Sequence, residues 1–95
     1  MDVPLPPFEF QTLVCGPGGE SHFESEGRRL VDVLRAHGML EESIALLDVG
    51  CGCGRIARYL VDVPIGRYEG FDRHAGMIAW CHEMLAPRDP RLHFR

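Results

Sequence analysis

The sequence predicts an α/β fold in which helices cover a parallel β-sheet. Short apolar runs alternate with segments whose apolar residues recur at helical spacing, in the order helix, β, α, β, α, β. This alternation is typical of parallel sheets with right-handed crossovers. The first apolar run also leads directly into a glycine-rich turn at residues 50–54 and then into an amphipathic segment. Strand–turn–helix units of this kind bind ligands at the carboxyl ends of their strands.

Residues 1–22 are predicted to form an extended arm followed by a loop. Residues 1–12 are rich in proline, and residues 16–19 read Gly-Pro-Gly-Gly. Because proline fixes φ and removes a backbone donor, we expect neither helix nor strand in the arm. The loop either lies plainly on the surface or, with Phe23, forms a lid over a ligand.

A helix is predicted from about Phe23 to His37. Ser21 or Ser25 is a candidate N-cap, and Gly38 is a candidate terminator. The apolar residues of this helix share one face at i, i+3 and i+4 spacing: Leu30, Val33 and Leu34.

Three strands are predicted after this helix. Residues 44–49 form an almost continuous apolar run, which favours a strand covered on both faces. Residues 68–72 alternate in polarity, and residues 92–94 begin the third strand. The predicted helix after the glycine turn buries Ile56, Tyr59, Leu60 and Val63 and ends at Pro64 and Gly66. The predicted helix from Ala75 to Leu85 buries Ile78, Cys81 and Leu85.

The composition excludes several classes of function. The 95 residues suffice for one small domain, and 45% hydrophobic with 25% charged residues is ordinary for a globular protein. The net charge is −4 and the sequence has no basic block, so it does not predict a basic surface that would bind nucleic acid. No apolar run approaches the ~20 residues of a membrane span, and no signal peptide is recognisable. Four cysteines without a disulfide pattern indicate free thiols and a cytoplasmic location.

The turn Gly50-Cys51-Gly52-Cys53-Gly54 is the first candidate binding element. Glycines let a ligand approach bare backbone, whose N–H groups can bond a polar ligand. Asp48 stands just before the turn, and Asp72 ends the next predicted strand, where a nucleotide ribose is held in related folds. The sequence therefore predicts a site for a nucleoside cofactor.

The segment Leu46-Leu47-Asp48-Val49-Gly50-Cys51-Gly52-Cys53-Gly54 resembles the first motif of the class I S-adenosylmethionine-dependent methyltransferases: an apolar strand, an acid, then x-Gly-x-Gly-x-Gly. Residues 68–72 resemble the second motif, an acid ending strand 2. The resemblance covers residues 23–95 and implies the N-terminal, cofactor-binding half of a Rossmann-like domain, truncated after the third strand.

The resemblance also implies roles for individual residues. Gly50 and Gly52, with Cys51 between them, would line the methionine portion of S-adenosylmethionine, and Asp48 would hold its amino end. Asp72 would accept hydrogen bonds from the ribose hydroxyls, and Met77 would pack on adenine. Arg55 either reaches the cofactor carboxylate or is a solvated residue.

A dinucleotide is the competing ligand, and it would make the chain part of an oxidoreductase. Its sites usually read Gly-x-Gly-x-x-Gly, but the third glycine here, Gly54, comes one residue early. The charge of Asp48 would also repel a pyrophosphate, whereas it suits an amino group and a sulfonium. Both differences favour S-adenosylmethionine.

A metal site is the competing interpretation of the cysteines. Cys51 and Cys53, with His74, Cys81 and His82, would be its ligands. Cys-x-Cys is tighter than the usual spacing of zinc ligand pairs, so we predict no metal. Cys81 falls on the apolar helix face and is predicted to lie in the core.

The methyl acceptor and the catalytic residues are not predicted, because the family carries acceptor-side groups after strand 4. We expect the chain alone to be inactive. The alternative is a truncated, non-catalytic module that binds the cofactor weakly or pairs with another polypeptide. The open edge of the first strand could also pair with a partner chain or with a second copy of this chain.

Overall fold

One parallel three-stranded sheet forms the centre of the protein. The computed structural model describes residues 3–95. Leu46 in the first strand pairs with Tyr68 in the second, which pairs with Leu92 in the third. The predicted α/β class with an open parallel sheet is confirmed. The strands stand in the order β1-β2-β3, with β1 at Ala45–Val49, β2 at Arg67–Phe71 and β3 at Leu92–Phe94.

Among residues 3–95, three α-helices and two short 3₁₀ helices accompany the sheet. In the described part of the chain, none of the helices is long and apolar enough to cross a membrane. Their bounds are Phe8–Cys15 for α1, Gly19–Ala36 for α2 and Ala75–Met84 for α3, with 3₁₀ turns at Ala57–Tyr59 and Ala86–Arg88.

The prediction of an extended arm is wrong for residues 8–12, because these residues belong to helix α1. Pro7 is the N-cap of this helix, and the proline-rich composition ends there. Prolines before a helix are compatible with it, because the first helical residues need no intrahelical N–H partner. Met1 and Asp2, the first residues of the predicted arm, lie outside the described residues.

The predicted second helix is confirmed as α2, but it begins earlier than expected. Ser21 and Ser25 lie inside the helix, so neither is its N-cap; Gly18 takes that place without a side-chain hydrogen bond. Gly38 has φ 68° and ends the helix, as predicted, because glycine adopts this left-handed conformation without strain.

The crossover from β1 to β2 contains only a 3₁₀ turn, where a helix was predicted. Gly54 at φ 84° and Asp62 at φ 68° interrupt the backbone on either side of residues 55–61. No regular α-helix forms between these two left-handed positions. The predicted apolar pattern is borne out in part: Leu60 is fully buried in the core, while Ile56, Tyr59 and Val63 are partly buried against it.

Strand β1 is covered on one face only, contrary to the prediction. Leu47 is 62% exposed and Val49 is 75% exposed. Within the described chain, β1 pairs with β2 and with no other strand, so its second edge is open. The apolar run therefore predicted the strand correctly, while the layer that would cover its outer face is not formed by these residues.

Helix α2 packs closely on the crossover at Gly27. A Cβ atom on this glycine would meet the main-chain oxygen of Arg55 and would lie 2.8 Å from Cε2 of Tyr59. A glycine inside a helix costs roughly 1 kcal/mol relative to alanine. Here that cost permits a close approach of helix and crossover that no other residue allows.

Arg58 anchors the N-terminal segment to the crossover. Its guanidinium donates to the carbonyl oxygens of Val3 at 2.7 Å and Pro4 at 3.0 Å. The side chain is buried and lies near the rings of Phe23 and Tyr59, at 6.0 and 5.4 Å from their centroids. Residues that precede α1 are thereby fixed against the body of the fold.

The substitution Gly27→Ala should destabilise the protein by about 1–2 kcal/mol, although alanine is the better helix former. Overpacking against Arg55 and Tyr59 costs roughly 1–3 kcal/mol and exceeds the gain in helix propensity. Urea unfolding measures the difference. Ser25→Ala, at an exposed position on the same helix, is the control and should stay within about 0.5 kcal/mol of the native chain. If Gly27→Ala were more stable than the native chain, the helix and the crossover would have to move apart at little cost, which would contradict this prediction.

Candidate functional site

The glycine turn that follows β1 has a left-handed backbone conformation at three positions, which residues other than glycine rarely adopt. Gly50, Gly52 and Gly54 have φ of 78°, 59° and 84°, in the left-handed region that glycine enters without steric cost. The N–H groups of Gly50 and Cys51 both donate to the carbonyl oxygen of Phe71 at 2.8 Å. The turn is thus bonded directly to the carboxyl end of β2, so the ends of the two strands form one edge.

Asp72 joins this turn to the loop that begins α3. One carboxylate oxygen accepts the N–H of Gly52 at 2.9 Å, and the other accepts the N–H of His74 at 2.8 Å. Each carboxylate oxygen has two lone pairs, so acceptor capacity remains on both. Because the side chain is only partly buried, a ligand hydroxyl can reach it.

A cavity of about 320 Å³ lies beside Asp72, a volume in the range of small-molecule sites. Five of the seven residues predicted to bind a cofactor line it: Gly50, Gly52, Arg55, Asp72 and Met77. Four further residues complete the lining: Leu13, Val14, Arg73 and His74. The structure thus brings most of the candidate residues to one place, while their role in binding stays a prediction.

Helix α1 forms one wall of this cavity, which the sequence analysis missed. A Cβ atom on Gly52 would lie 2.8 Å from Cγ2 of Val14, so the helix reaches the bare backbone of the turn. The ring of Phe10 meets that of His74 edge-on at 5.3 Å. The i, i+3, i+4 spacing of Phe10, Leu13 and Val14 was the signal that identifies this helix.

Residues 16–19 and Phe23 do not line this cavity, so they do not form the lid that was one of the two predicted alternatives. Residues 16–18 only connect α1 to α2, and Phe23 is fully buried beneath the site with Cys53 and Met77. The Phe23 side chain therefore belongs to the core, and Met77 reaches the cavity from the same cluster.

Arg55 lies at the cavity wall beside the side chain of Cys15. Its guanidinium lies 3.6 Å from the thiol sulfur of Cys15 at the end of α1. That contact is weak and engages one of the five N–H donors, so the guanidinium retains donors for an anionic group.

Asp48 does not line this cavity. Its carboxylate accepts a hydrogen bond from the hydroxyl of Tyr68 at 2.7 Å and borders a separate cavity of about 100 Å³. Burial raises the pKa of the Asp48 carboxyl, and the Tyr68 hydrogen bond and the charge of Arg55 oppose that increase.

The thiols of the turn are buried and neutral. Burial raises the pKa of Cys51 and of Cys53 to about 12 in each case. The side chain of Cys51, predicted to contact a cofactor, is 4% exposed and lies behind the turn. Cys81 is fully buried, which confirms its predicted place in the core; its thiol and that of Cys51 both approach the carbonyl oxygen of Gly52, at 3.6 and 3.7 Å.

The side chains named in the metal hypothesis serve other contacts. His74 caps α3, because its Nδ1 accepts the N–H of Met77 at 3.1 Å. All four cysteines are free thiols. Between residues 3 and 95, the structure has no group of three or more His, Cys, Asp or Glu side chains that could hold a metal ion.

Comparison with solved structures supports the fold. The chain is similar to SAM-bound CalS10, an amino pentose methyltransferase from Micromonospora echinaspora involved in calicheamicin biosynthesis. The TM-score is 0.54 at 21% identity, a likeness that shows the fold alone. The alignment covers 99% of this chain and 35% of that protein, so the chain spans about a third of its length. No family model matches the chain.

Alkylation should distinguish Cys15 from Cys53. Cys15 is partly exposed, whereas Cys53 is fully buried and its raised pKa leaves almost no thiolate at pH 8. Because the thiolate is the nucleophile, iodoacetamide should modify Cys15 at least ~100-fold faster than Cys53 in the folded protein. Mass spectrometry of timed digests measures both rates, and labelling in denaturant is the control. Equal rates in the folded protein would contradict this geometry.

Proposed function

We propose that this chain is the cofactor-binding portion of an S-adenosylmethionine-dependent methyltransferase that transfers a methyl group to an unidentified acceptor. The observation that carries the proposal is the bridge from Asp72 to Gly52, which places an ionisable acceptor and bare backbone on one cavity. The similarity to a SAM-bound methyltransferase supports it at the level of the fold.

In this proposal each part of the cavity serves one part of the cofactor. Gly50 and Gly52 line the methionine portion; no atom fills the place of a side chain at Gly50, so a ligand can approach the backbone there. The remaining lone pairs of Asp72 accept the two ribose hydroxyls. Met77 packs on adenine, and Arg55 binds the cofactor carboxylate with the donors that Cys15 does not engage.

Two of the candidate residues act indirectly. Cys51 contributes backbone only, because its side chain is buried behind the turn. Asp48 holds the amino end of the cofactor from outside the cavity lining, directly or through water. Arg55 and Asp72, which line the cavity, both act electrostatically on the Asp48 carboxyl.

When bound, the cofactor supplies a sulfonium methyl group for direct transfer to a nucleophile. Transfer of this kind depends mostly on holding donor and acceptor in line. The described residues do not identify the acceptor, so we assign no catalytic residue. A cytoplasmic location belongs to the same proposal and rests on the free thiols.

A non-catalytic module that pairs with another polypeptide is the second candidate function. The open edge and exposed outer face of β1, with Leu47 and Val49, favour it. A dinucleotide-binding oxidoreductase remains a weaker alternative, because the partly buried Asp48 carboxylate just before the turn would repel a pyrophosphate.

Calorimetric titration with S-adenosylmethionine, S-adenosylhomocysteine and NAD tests the cofactor. We expect the first two ligands to bind and NAD to bind more weakly. Asp72→Ala should weaken binding by roughly 1.5–3 kcal/mol, since it removes charged hydrogen bonds to both ribose hydroxyls. Glu83→Ala, at an exposed position on α3, is the control and should leave the affinity unchanged. Tighter binding of NAD, or an unchanged affinity of the Asp72 variant, would refute this assignment.

The open edge of β1 should prevent the isolated chain from forming a stable, active monomer. Each uncovered Leu or Val forfeits roughly 1.5–3 kcal/mol, against about 5–15 kcal/mol for the total stability of a domain. Sedimentation should show self-association, and Leu47→Lys should reduce it because a charge blunts the edge. Ala79→Lys, at an exposed position on α3, adds the same charge away from the edge and should leave self-association unchanged. A cooperative monomeric transition together with methyl transfer would refute the prediction.

A further inference from the structure

Tyr68 makes a hydrogen bond that the cofactor proposal does not use. Its side chain is fully buried, yet its hydroxyl donates to one oxygen of Asp48, Oδ2, at 2.7 Å. Buried tyrosines need such a partner, because an unpaired hydroxyl in the core costs free energy. The distance is short, as expected for a donor to a carboxylate.

The bond crosses a gap that Gly70 leaves in β2. Gly70 is the sheet partner of Asp48, and Tyr68 precedes it on the same face of the strand. A Cβ atom at position 70 would lie 2.8 Å from the Tyr68 hydroxyl and 3.0 Å from the sulfur of Cys51. The missing side chain is therefore what lets the hydroxyl reach across to β1.

The second oxygen of Asp48 is free. Among residues 3–95, no group donates a hydrogen bond to Oδ1, and the residue is partly exposed. The charged and titratable groups around the carboxyl are Tyr68, Arg55, Asp72 and the neutral thiol of Cys51. The other neighbours lining its small cavity are apolar: Leu34, Met39, Leu46, Leu47 and Ile56.

We propose that Tyr68 is a positioning residue for cofactor recognition. By donating to Oδ2 across the gap at Gly70, it orients the Asp48 carboxylate and leaves Oδ1 to accept from the ammonium group of the cofactor, directly or through water. This inference rests on the proposed function, because it assumes a ligand that carries an amino group. Tyr68 itself does not touch the ligand.

The chemistry of the pair explains why the tyrosine is needed. Burial raises the pKa of the Asp48 carboxyl, and the charge of Asp72 raises it further. The hydrogen bond from Tyr68 favours the charged form and works against both effects. Without that donor the carboxyl would take up a proton at a higher pH, and a neutral acid pairs poorly with an ammonium group.

Two ligands that differ at the amino acid end provide the test. S-adenosylhomocysteine carries the ammonium group, whereas 5′-methylthioadenosine keeps the adenine and ribose without it. Tyr68→Phe should weaken the binding of S-adenosylhomocysteine about tenfold, which corresponds to the loss of one hydrogen bond to a charged group. The affinity for 5′-methylthioadenosine should change by less than twofold. Gly70→Ala should act in the same direction, because the added Cβ displaces the hydroxyl.

The pH profile separates this role from simple packing. The affinity of the native chain for S-adenosylhomocysteine should fall on acidification, as Asp48 takes up a proton. In Tyr68→Phe the fall should begin at a higher pH. Asp48→Asn keeps a partner for the tyrosine hydroxyl but removes the charge, so it should lose this pH dependence, and it tests the idea even if Tyr68→Phe folds poorly.

The outcomes are distinct. Equal weakening of both ligands, or unchanged pH profiles in Tyr68→Phe and Asp48→Asn, would overturn the positioning role while leaving cofactor binding intact. If neither ligand binds the native chain, the proposed function fails and this inference fails with it. A selective loss for S-adenosylhomocysteine with the shifted profile supports both.

Discussion

The two hydrogen bonds of the Asp72 carboxylate are the interaction on which the rest of the site depends. They occupy one N–H of the glycine turn and one N–H at the start of α3, groups that would otherwise lack a partner. The turn after β1 and the helix after β2 are consequently held at a fixed separation. Met77, in the first turn of α3, and Gly52 line the same cavity for this reason.

Sequence patterns predicted the parts of the fold that depend on local periodicity and on glycine. The three strands, α2, α3 and the turn at residues 50–54 all follow from such patterns, as does the meeting of Asp72 with the turn. Helix α1 was missed because proline content outweighed an apolar spacing of only eight residues. The placement of Asp48 was not predictable, since its direction depends on Tyr68 and on the gap at Gly70 in the neighbouring strand.

The cysteines of the turn act as small apolar residues. The raised pKa values of Cys51 and Cys53 keep both thiols neutral at physiological pH, so the negative charge next to the turn comes from Asp48 and Asp72. Cys81 completes this packing from α3 and approaches the same carbonyl oxygen as Cys51. A thiol fits beneath bare backbone and adds no charge that would compete with a ligand.

Because Arg58 anchors the N-terminal segment, that segment is translated early but can be fixed in the fold only late. Pro4 is translated 54 residues before Arg58, its hydrogen-bond donor. At about 5–20 residues per second, roughly 3–11 s pass before that donor exists. Gly52, against which α1 packs, is made almost as late. The α1 wall of the cavity is therefore translated well before the turn and the crossover that hold it in place.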